Sequence, residues 1–307
     1  MLNLFVRKLV QGMLMLLVVS AITFALLSTA GGDALSTLAD NPQISEKTID
    51  DLRKVYGLDR PMIERYGSWL AGAATGDLGE SLAFRISVTR LVGARFLNTL
   101  LMGTLAFAIA VGVSLLLAIL AIMRDSRTLD AVIDVTIFLT ASTPRMVLAL
   151  IALALSLSIL SRGSVDATQW FQLIAGAIVL AVPLISIFLA QLVHGLKDVM
   201  AEDFIRLARA KGLSEWQVVS RHALRVALNP FLTVSGLSLG GLLGGSVIVE
   251  TVLGWHGIGA LMVTAVRGRD VPLVMGVVLV ASAAVWFGNT LAEFIQAMND
   301  KRIRDGI

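Results

Sequence analysis

The sequence reads FQLIAGAIVLAVPLISIFLAQLV over Phe171–Val193, a run of 23 residues that contains no charged side chain. A helix of about 20 apolar residues is long enough to cross the hydrocarbon core of a bilayer, which is roughly 30 Å thick. The run lacks the strict alternation of apolar and polar residues that is typical of a transmembrane barrel strand. It therefore predicts a transmembrane helix.

Five further runs of similar composition lie on both sides of this one. They extend over Leu9–Leu27, Leu97–Met123, Val135–Leu160, Phe231–Leu253 and Val271–Ile295. The whole chain of 307 residues is 56% hydrophobic and 15% charged, so it has too little polar surface to cover a soluble globule of its size. We predict an all-α membrane protein with six transmembrane helices.

The first run has two interpretations. Arg7 and Lys8 precede it and Ser28-Thr29-Ala30 resembles a cleavage site, as in a secretory signal peptide. Its apolar core is longer than the roughly 7–15 residues of a signal peptide, so we favour a retained membrane anchor.

Basic residues flank the predicted spans mainly on one side of the membrane. They are Arg7, Lys8, Arg124, Arg127, those of the loop Lys197–Arg225, and Lys301, Arg302 and Arg304. Because an excess of Lys and Arg in short loops marks the cytoplasmic side, we predict that both termini are cytoplasmic. Arg267 and Arg269, in a predicted outer loop, depart from this rule.

The predicted spans divide the chain into three parts. Residues 1–94 carry the first transmembrane helix, at about 9–30, and an extracytoplasmic helical segment at about 31–94. Residues 95–300 form a core of five helices, at about 97–123, 135–160, 171–193, 231–253 and 271–295, with a cytoplasmic loop at 198–229. Residues 301–307 form a cytoplasmic tail.

The outer segment contains signals for two helices and a turn. Ser45 suits the start of a helix that continues to about Tyr56, Gly57 suits its left-handed end, and Pro61 suits the start of a second helix that continues to about Ala71. The sequence GDLGES over Gly76–Ser81 predicts a turn-rich loop. A lid, a partner contact and a simple surface cap all remain open as roles for this segment.

Motifs for catalysis and ligand binding are missing from the sequence. There is no GxxxxGK[ST] phosphate loop, no HExxH zinc motif and no cysteine, and His194, His222 and His256 are far apart. No basic, aromatic-rich stripe suggests nucleic acid. We therefore predict no catalytic residue, no metal site and no bound cofactor in this chain, so any ATP must be hydrolysed on another subunit.

Charged residues inside the spans are candidate pathway residues, because ionisable groups are costly in hydrocarbon. Pro144 should kink the third span, and Arg145 beside it needs a partner or a wet cavity; pathway lining and interhelical pairing are both open. Glu250 lies near the outer end of the fifth span, where it either holds a backbone turn or lines the pathway mouth. Asp130 and Asp134 fit a face at the membrane surface better than a proton relay.

Glycines recur along the fifth span at four-residue spacing. They are Gly236, Gly240 and Gly244, with Gly241 and Gly245 beside two of them. A glycine face lets another helix approach closely, so it is a candidate packing surface or a moving element that lines a substrate path.

A polar stretch between the fourth and fifth spans predicts two short helices joined at a glycine. It reads Glu202, Asp203, Phe204, Ile205, Arg206, Leu207, Ala208, Arg209, Ala210, Lys211, Gly212, Leu213 and Ser214, and we call it the elbow. Phe204, Leu207 and Ala208 form an apolar stripe at helical spacing, and Gly212 suits a left-handed end. Ser214 and Gln217 form a capping-box pattern for a second helix, expected to end near Leu228 before Pro230. We predict that the elbow is a docking surface.

Ordered motifs along nearly the whole chain resemble the inner-membrane permease family of binding-protein-dependent ABC importers, in its dipeptide, oligopeptide and nickel branch. The motifs are YGLDRP from Tyr56, GDLGES from Gly76, DFIRLARAKGL from Asp203, RHALR from Arg221, Asn229-Pro230, GGLLGG from Gly240, VETV from Val249, the Trp255/Gly257/Gly259 pattern and RDVP from Arg269. The sequence departs from the family's pattern at three places. The outer loop Ser161–Thr168 is short, the helix after it lacks the family's usual early proline, and the family's closing sequence DPRIR is replaced by DKRIR from Asp300.

The resemblance implies a type I ABC importer permease fold in the bacterial inner membrane, with the elbow as the EAA loop that couples to the ATP-hydrolysing subunit. It implies as partners a second homologous permease, two ABC ATPases that bind ATP and magnesium, an extracytoplasmic solute-binding protein and membrane lipid. A peptide is the expected cargo, with nickel or another metal chelate and glutathione as alternatives.

Two functions of other classes remain as alternatives. An ion-coupled secondary transporter should have an inverted repeat and paired carboxylates near mid-span, and neither is visible. A membrane scaffold would use the elbow only to recruit a partner. A P-loop ATPase that purifies with the chain would support the importer.

Overall fold

The chain is known from a computed structural model that describes residues 2–29, 46–55, 57, 59–124, 126–160 and 165–299. The α-helices in these ranges are α1 (Leu2–Thr29), α2 (Glu46–Val55), α3 (Met62–Ala74), α4 (Val88–Arg124), α5 (Arg127–Ser142), α6 (Arg145–Leu160), α7 (Val165–Met200), α8 (Asp203–Ala210), α9 (Glu215–Gln217), α10 (Leu224–Leu253), α11 (Ile258–Arg267) and α12 (Val271–Asn299). A π-helical turn, Val218–Ala223, joins α9 to α10. No β-strand occurs in the described part of the chain beyond one isolated bridge between Glu80 and Ser87.

Five helical segments are long and apolar enough to cross a membrane. They are Val6–Thr29, Val88–Arg124, Thr168–Met200, Glu215–Leu253 and Val271–Met298. The pair formed by α5 and α6 passes the same test as one broken span, which raises the count to six. The prediction of an all-helical membrane protein is confirmed.

The third predicted span, Val135–Leu160, is not a single kinked helix. It consists of α5 and α6, which meet at an angle of 88°. Pro144 lacks a backbone N–H and disfavours the helical conformation in the residue before it, and Thr143 has an extended ψ of 116°. The Thr143 hydroxyl donates a hydrogen bond to the Leu139 carbonyl at 2.6 Å. The proline thus ends α5 instead of bending it.

The predicted helix end near Leu228 is wrong, because α10 continues through Pro230 to Leu253. Ala227 and Phe231, on either side of the proline, are buried in the core. Packing on both sides holds the helix together where one hydrogen bond is lost. Pro183 lies inside α7 in the same way.

Two smaller predictions about loops also need correction. The loop predicted at Ser161–Thr168 ends earlier, since α7 begins at Val165. The outer loop before the last span contains a ten-residue helix, α11, that we did not predict.

The segment between α1 and α4 follows its sequence signals closely. Gly57 has the left-handed φ of +63° expected after α2. Pro61 directly precedes α3, which ends at Ala74, three residues later than predicted. The predicted cap Ser45 and the tail from Asp300 onward lie outside the described residues.

The described residues form two compact units. The first contains the described residues of Leu100–Trp255 and those from Phe287 to Asn299. In this unit α7 packs against α5, α6 and α10. The Phe188 ring lies between those of Phe107 and Phe231, with centroid distances of 5.5 and 5.2 Å.

The second unit contains Leu2–Thr99 and His256–Trp286. The Tyr66 hydroxyl of α3 lies 2.9 Å from the Ser20 hydroxyl of α1, and the rings of Phe24, Tyr66 and Trp69 form a contiguous cluster. Gly276 of α12 lies against Val88 at the start of α4.

Candidate functional site

The elbow has the helix, glycine and helix arrangement that its sequence predicts. Helix α8 ends at Ala210, and Gly212 follows with a left-handed φ of +80°. The Gly212 N–H donates to the Arg209 carbonyl at 2.9 Å, which satisfies an end group of the helix. Ser214 and Gln217 form the predicted capping box at the start of α9. The prediction for the backbone of the elbow is confirmed.

The buried face of the elbow shares only Ala208 with the predicted apolar stripe. Ile205 and Ala208 are buried in the same hydrophobic core cluster as Val218 of the π-helical turn. Phe204 and Leu207 are instead 41% and 57% exposed. Of the predicted stripe, Ala208 therefore packs against the core, whereas Phe204 and Leu207 do not. The result is an anchored helix with two large apolar side chains on its outer face.

The remaining elbow residues are exposed or half-buried. Leu213 is half-buried, and the exposed ones are Glu202, Asp203, Arg206, Arg209, Ala210, Lys211, Gly212 and Ser214. Two ion pairs lie on this surface. Arg209 donates to Glu215 at 2.9 Å across the glycine, and Arg206 donates to Asp203 at 3.3 Å. Such exposed pairs stabilise by about 1 kcal/mol or less, so they orient side chains more than they hold the fold.

Sequence reasoning missed Trp216, which belongs to this surface. It lies in α9 between the two capping-box residues Ser214 and Gln217 and is 54% exposed. A tryptophan in the first turn of a short polar helix was the available signal, because exposed aromatic side chains are enriched in binding surfaces.

Arg145, the first residue of α6, has a partner on another helix. Its Nη1 atom donates a hydrogen bond to the Gly241 carbonyl of α10 at 3.2 Å. The guanidinium group also lies directly against Gly245. Of the two interpretations left open, the structure provides the interhelical contact, which connects the residue after Pro144 to the glycine face.

The glycines of α10 do not form one uniform packing face. A Cβ atom on Gly236 would lie 2.6 Å from the Cβ atom of Ala292 in α12. Gly245 faces Arg145, whereas Gly241 and Gly244 face open space. Gly240 is half-buried. Two of the five glycines are thus needed for close packing in this chain, and two leave a groove.

Glu250 is fully buried near the end of α10. Its backbone carbonyl accepts the N–H groups of Gly254 and Trp255, and Gly254 has a left-handed φ of +70°. These two bonds use the backbone of residue 250 and close the end of the helix, so both predicted roles of the Glu250 side chain, in the turn and at the pathway mouth, stay predictions.

Asp270 is a buried anchor that sequence reasoning did not find. Its carboxylate accepts hydrogen bonds from the Ser81 hydroxyl at 2.6 Å, the Ala83 N–H at 3.0 Å and the Leu273 N–H at 3.2 Å. It caps α12 and fixes the loop that contains Ser81. An aspartate three residues before a helical N–H is an N-cap signal, so the sequence RDVP from Arg269 already contained the indication of this role.

Within the described ranges, no three His, Asp or Glu side chains are placed to hold a metal ion. The described residues thus contain two candidate functional arrangements. One is the elbow surface and the other is the contact between Arg145 and the glycines of α10, and neither has the chemistry of a catalytic centre. Both arrangements suit binding and movement.

Comparison with known proteins gives matches along the whole chain. The family described as binding-protein-dependent transport system inner membrane component matches residues 92–305, and the N-terminal part of such membrane components matches residues 1–115. The oligopeptide transport system permease protein AppB of Bacillus subtilis (strain 168) is 31% identical, over 97% of this chain and 98% of its own length. The glutathione transport system permease protein GsiC of Escherichia coli O6:H1 is 30% identical, over 99% of both chains.

Proposed function

Because this chain belongs to the inner-membrane permease family of binding-protein-dependent ABC importers, we propose that it forms half of the translocation pathway of an ATP-driven importer. It is a multi-pass protein of the bacterial inner membrane. The family is a transport subunit and not itself an enzyme. ATP and magnesium would bind to two ATPase subunits, and the other half of the pathway would come from a second, homologous permease.

The observation that carries the proposal is the construction of the elbow. Ile205 and Ala208 anchor α8 in the core, while Phe204 and Leu207 remain exposed on its outer face. An apolar surface on a firmly packed helix can receive force from a partner and transmit it to the helices that flank it. The elbow is joined through α9 and the π-helical turn to α10, which carries the glycine face and the contact with Arg145.

In the proposed topology the broken pair α5 and α6 counts as one of six spans. Both termini and the elbow then face the cytoplasm, in agreement with the basic flanking residues. The segment between α1 and α4 faces the other side, where an extracytoplasmic solute-binding protein would deliver the cargo. Closure of the ATPases on the elbow would alternate the access of a central cavity.

Co-purification tests the proposal directly. We expect a stoichiometric P-loop ATPase to purify with the full-length chain, and Leu207→Glu to abolish that association by placing a charge on the docking surface. Met298→Glu, at an exposed apolar side chain near the end of α12, is the matched control and should retain it. A chain that transports alone, or an ATPase that remains bound to Leu207→Glu, would contradict this assignment.

A peptide is the cargo we propose, because an oligopeptide permease is similar to this chain over nearly its full length. Glutathione is the second candidate, supported by the similarity to GsiC. A metal chelate is a third. The thermal unfolding temperature of the cognate solute-binding protein, measured with each ligand class, would discriminate among them, since only a bound ligand raises it.

A further inference from the structure

A pocket of about 310 Å³ lies among α1, α3 and the start of α12. Phe24 lines it five residues before the end of α1, and Val271 lines it at the first position of α12. Farther along the same two helices, Trp286 lies against Gly12. The two spans therefore run antiparallel, and the pocket lies at the membrane surface where α1 ends.

The walls of this pocket are mainly apolar. Phe24, Trp69, Leu82, Pro272 and Met275 contribute to them. Trp69 stacks against Tyr66 with a centroid distance of 6.3 Å, and Phe24 packs against the same ring. This aromatic cluster is rigidly supported, since the Tyr66 hydroxyl is hydrogen-bonded to α1. An apolar, aromatic wall at the edge of a bilayer suits the glycerol region and upper acyl chain of a lipid.

Four charged side chains also line the pocket, two of each sign. They are Arg60, Glu64, Arg65 and Glu80. None of them forms an ion pair with another residue in the described part of the chain. The Arg65 guanidinium is held 5.7 Å above the ring of Phe24. A lining with equal positive and negative charge complements a ligand that carries one group of each sign.

We propose that this pocket binds a zwitterionic phospholipid with a primary ammonium headgroup, such as phosphatidylethanolamine. Arg60 and Arg65 bind the phosphate, and Glu64 and Glu80 bind the ammonium group. An anionic phospholipid with a glycerol headgroup lacks the ammonium group and leaves both glutamates without a partner. A short peptide carries both charges but has no acyl chain to cover the apolar wall.

Native mass spectrometry of the full-length chain in detergent tests this site. After delipidation, the chain is titrated with phosphatidylethanolamine, with phosphatidylglycerol, or with the ethanolamine lipid plus triglycine. We expect one ethanolamine lipid to remain bound at collision energies that remove phosphatidylglycerol. The double variant Arg60→Gln/Arg65→Gln should lose at least about tenfold in the bound fraction, and Arg60→Lys/Arg65→Lys should recover most of it.

The double variant Arg90→Gln/Arg267→Gln provides a matched control. Both arginines are exposed, neither lines the pocket, and the change in net charge is the same. Equal lipid retention by the two glutamine variants would overturn the proposal, as would equal retention of phosphatidylglycerol. Displacement of the lipid by triglycine would also overturn it and assign the pocket to a solute.

Discussion

The guanidinium group of Arg145 occupies the space beside Gly245 that any side chain at residue 245 would need. From this position its Nη1 atom reaches the Gly241 carbonyl at 3.2 Å. A charged group in a membrane span therefore has a polar partner because a residue on the neighbouring helix has no side chain. The arginine and the glycine form one structural unit.

Gly245→Ala should displace the guanidinium group and break its hydrogen bond to Gly241. Hydrogen bonds to charged groups contribute about 1.5–3 kcal/mol, so we expect the free energy of unfolding to fall by an amount near the lower end of that range. Thermal unfolding of the full chain in detergent measures the change.

Gly244→Ala is the matched control, because Gly244 faces open space on the same helix. It should be neutral or stabilising, since alanine is about 1 kcal/mol more favourable than glycine in a helix interior. In an Arg145→Met background the penalty of Gly245→Ala should disappear. A penalty that persists there would show that the arginine and the glycine are not coupled.

The sequence was sufficient to predict features that depend on local rules. Gly57, Gly212 and the capping box of Ser214 and Gln217 have the conformations that their residue types favour. The apolar runs also predicted the long helices from the sequence alone, because the length and composition of a segment decide whether it can cross a bilayer as a helix. The predicted elbow backbone rests on these rules.

Three prolines that lie inside an apolar run or directly before one show where local rules stop. Pro144 separates α5 from α6, whereas Pro183 and Pro230 lie within continuous helices. Each proline removes one backbone donor, so the difference comes from the packing on either side. The apolar stripe of the elbow is a second example, because Ala208 is buried whereas Phe204 and Leu207 are exposed. Which face of a short helix is buried depends on where the core lies.

Asp270→Ala should destabilise the chain and release the loop that follows Ser81. The carboxylate accepts three hydrogen bonds in a fully buried position, so we expect a loss of about 2–4 kcal/mol. Trypsin should then cleave after Arg85 faster than in the unmodified chain. Asp77→Ala provides the comparison, because Asp77 is exposed and its carboxylate accepts from the Gly79 N–H at 2.9 Å. Equal cleavage rates in the two variants would refute the anchoring role.

Asp130→Asn should lower the free energy of unfolding far less than Asp270→Ala. It breaks an ion pair whose length, 2.9 Å, is similar to that of the Asp270 hydrogen bonds. Lys197 Nζ lies 2.9 Å from the Asp130 carboxylate, but the two side chains are 49% and 41% exposed. Exposed pairs contribute about 0–1 kcal/mol and are screened by salt. We expect a small loss of unfolding free energy that vanishes at high salt. Asp134→Asn, one helical turn away, is the control and should have no salt-dependent effect on stability. A larger salt-dependent effect from Asp134→Asn than from Asp130→Asn would contradict the pairing of Asp130 with Lys197.

Substitutions of Gly212 should show whether the elbow depends on the backbone conformation of residue 212, because a side chain there has no packing neighbour. Gly212 has a φ of +80° and faces open space, so a side chain there meets no neighbour and only the left-handed conformation resists it. Asparagine tolerates this region, whereas a β-branched residue is strongly disfavoured. We expect Gly212→Asn to retain transport and Gly212→Val to lose it. In the valine variant ATP hydrolysis should no longer respond to substrate, because the angle between α8 and α9 changes.

The amount of valine variant in the membrane should remain normal, since Ile205 and Ala208 still anchor α8. Gly67→Val controls for bulk, because Gly67 also faces open space but has no positive φ. Transport of radiolabelled peptide into vesicles and the ATPase rate are measured on the same preparations. If Gly212→Val kept both transport and stimulated hydrolysis, the elbow would not be the element that transmits force. If Gly67→Val lost both, bulk alone would explain the result. The coupling role of the elbow requires that transport depend on whether residue 212 can adopt a positive φ. Gly212→Asn, which tolerates that conformation, must then retain transport, and Gly212→Val, which does not, must lose it.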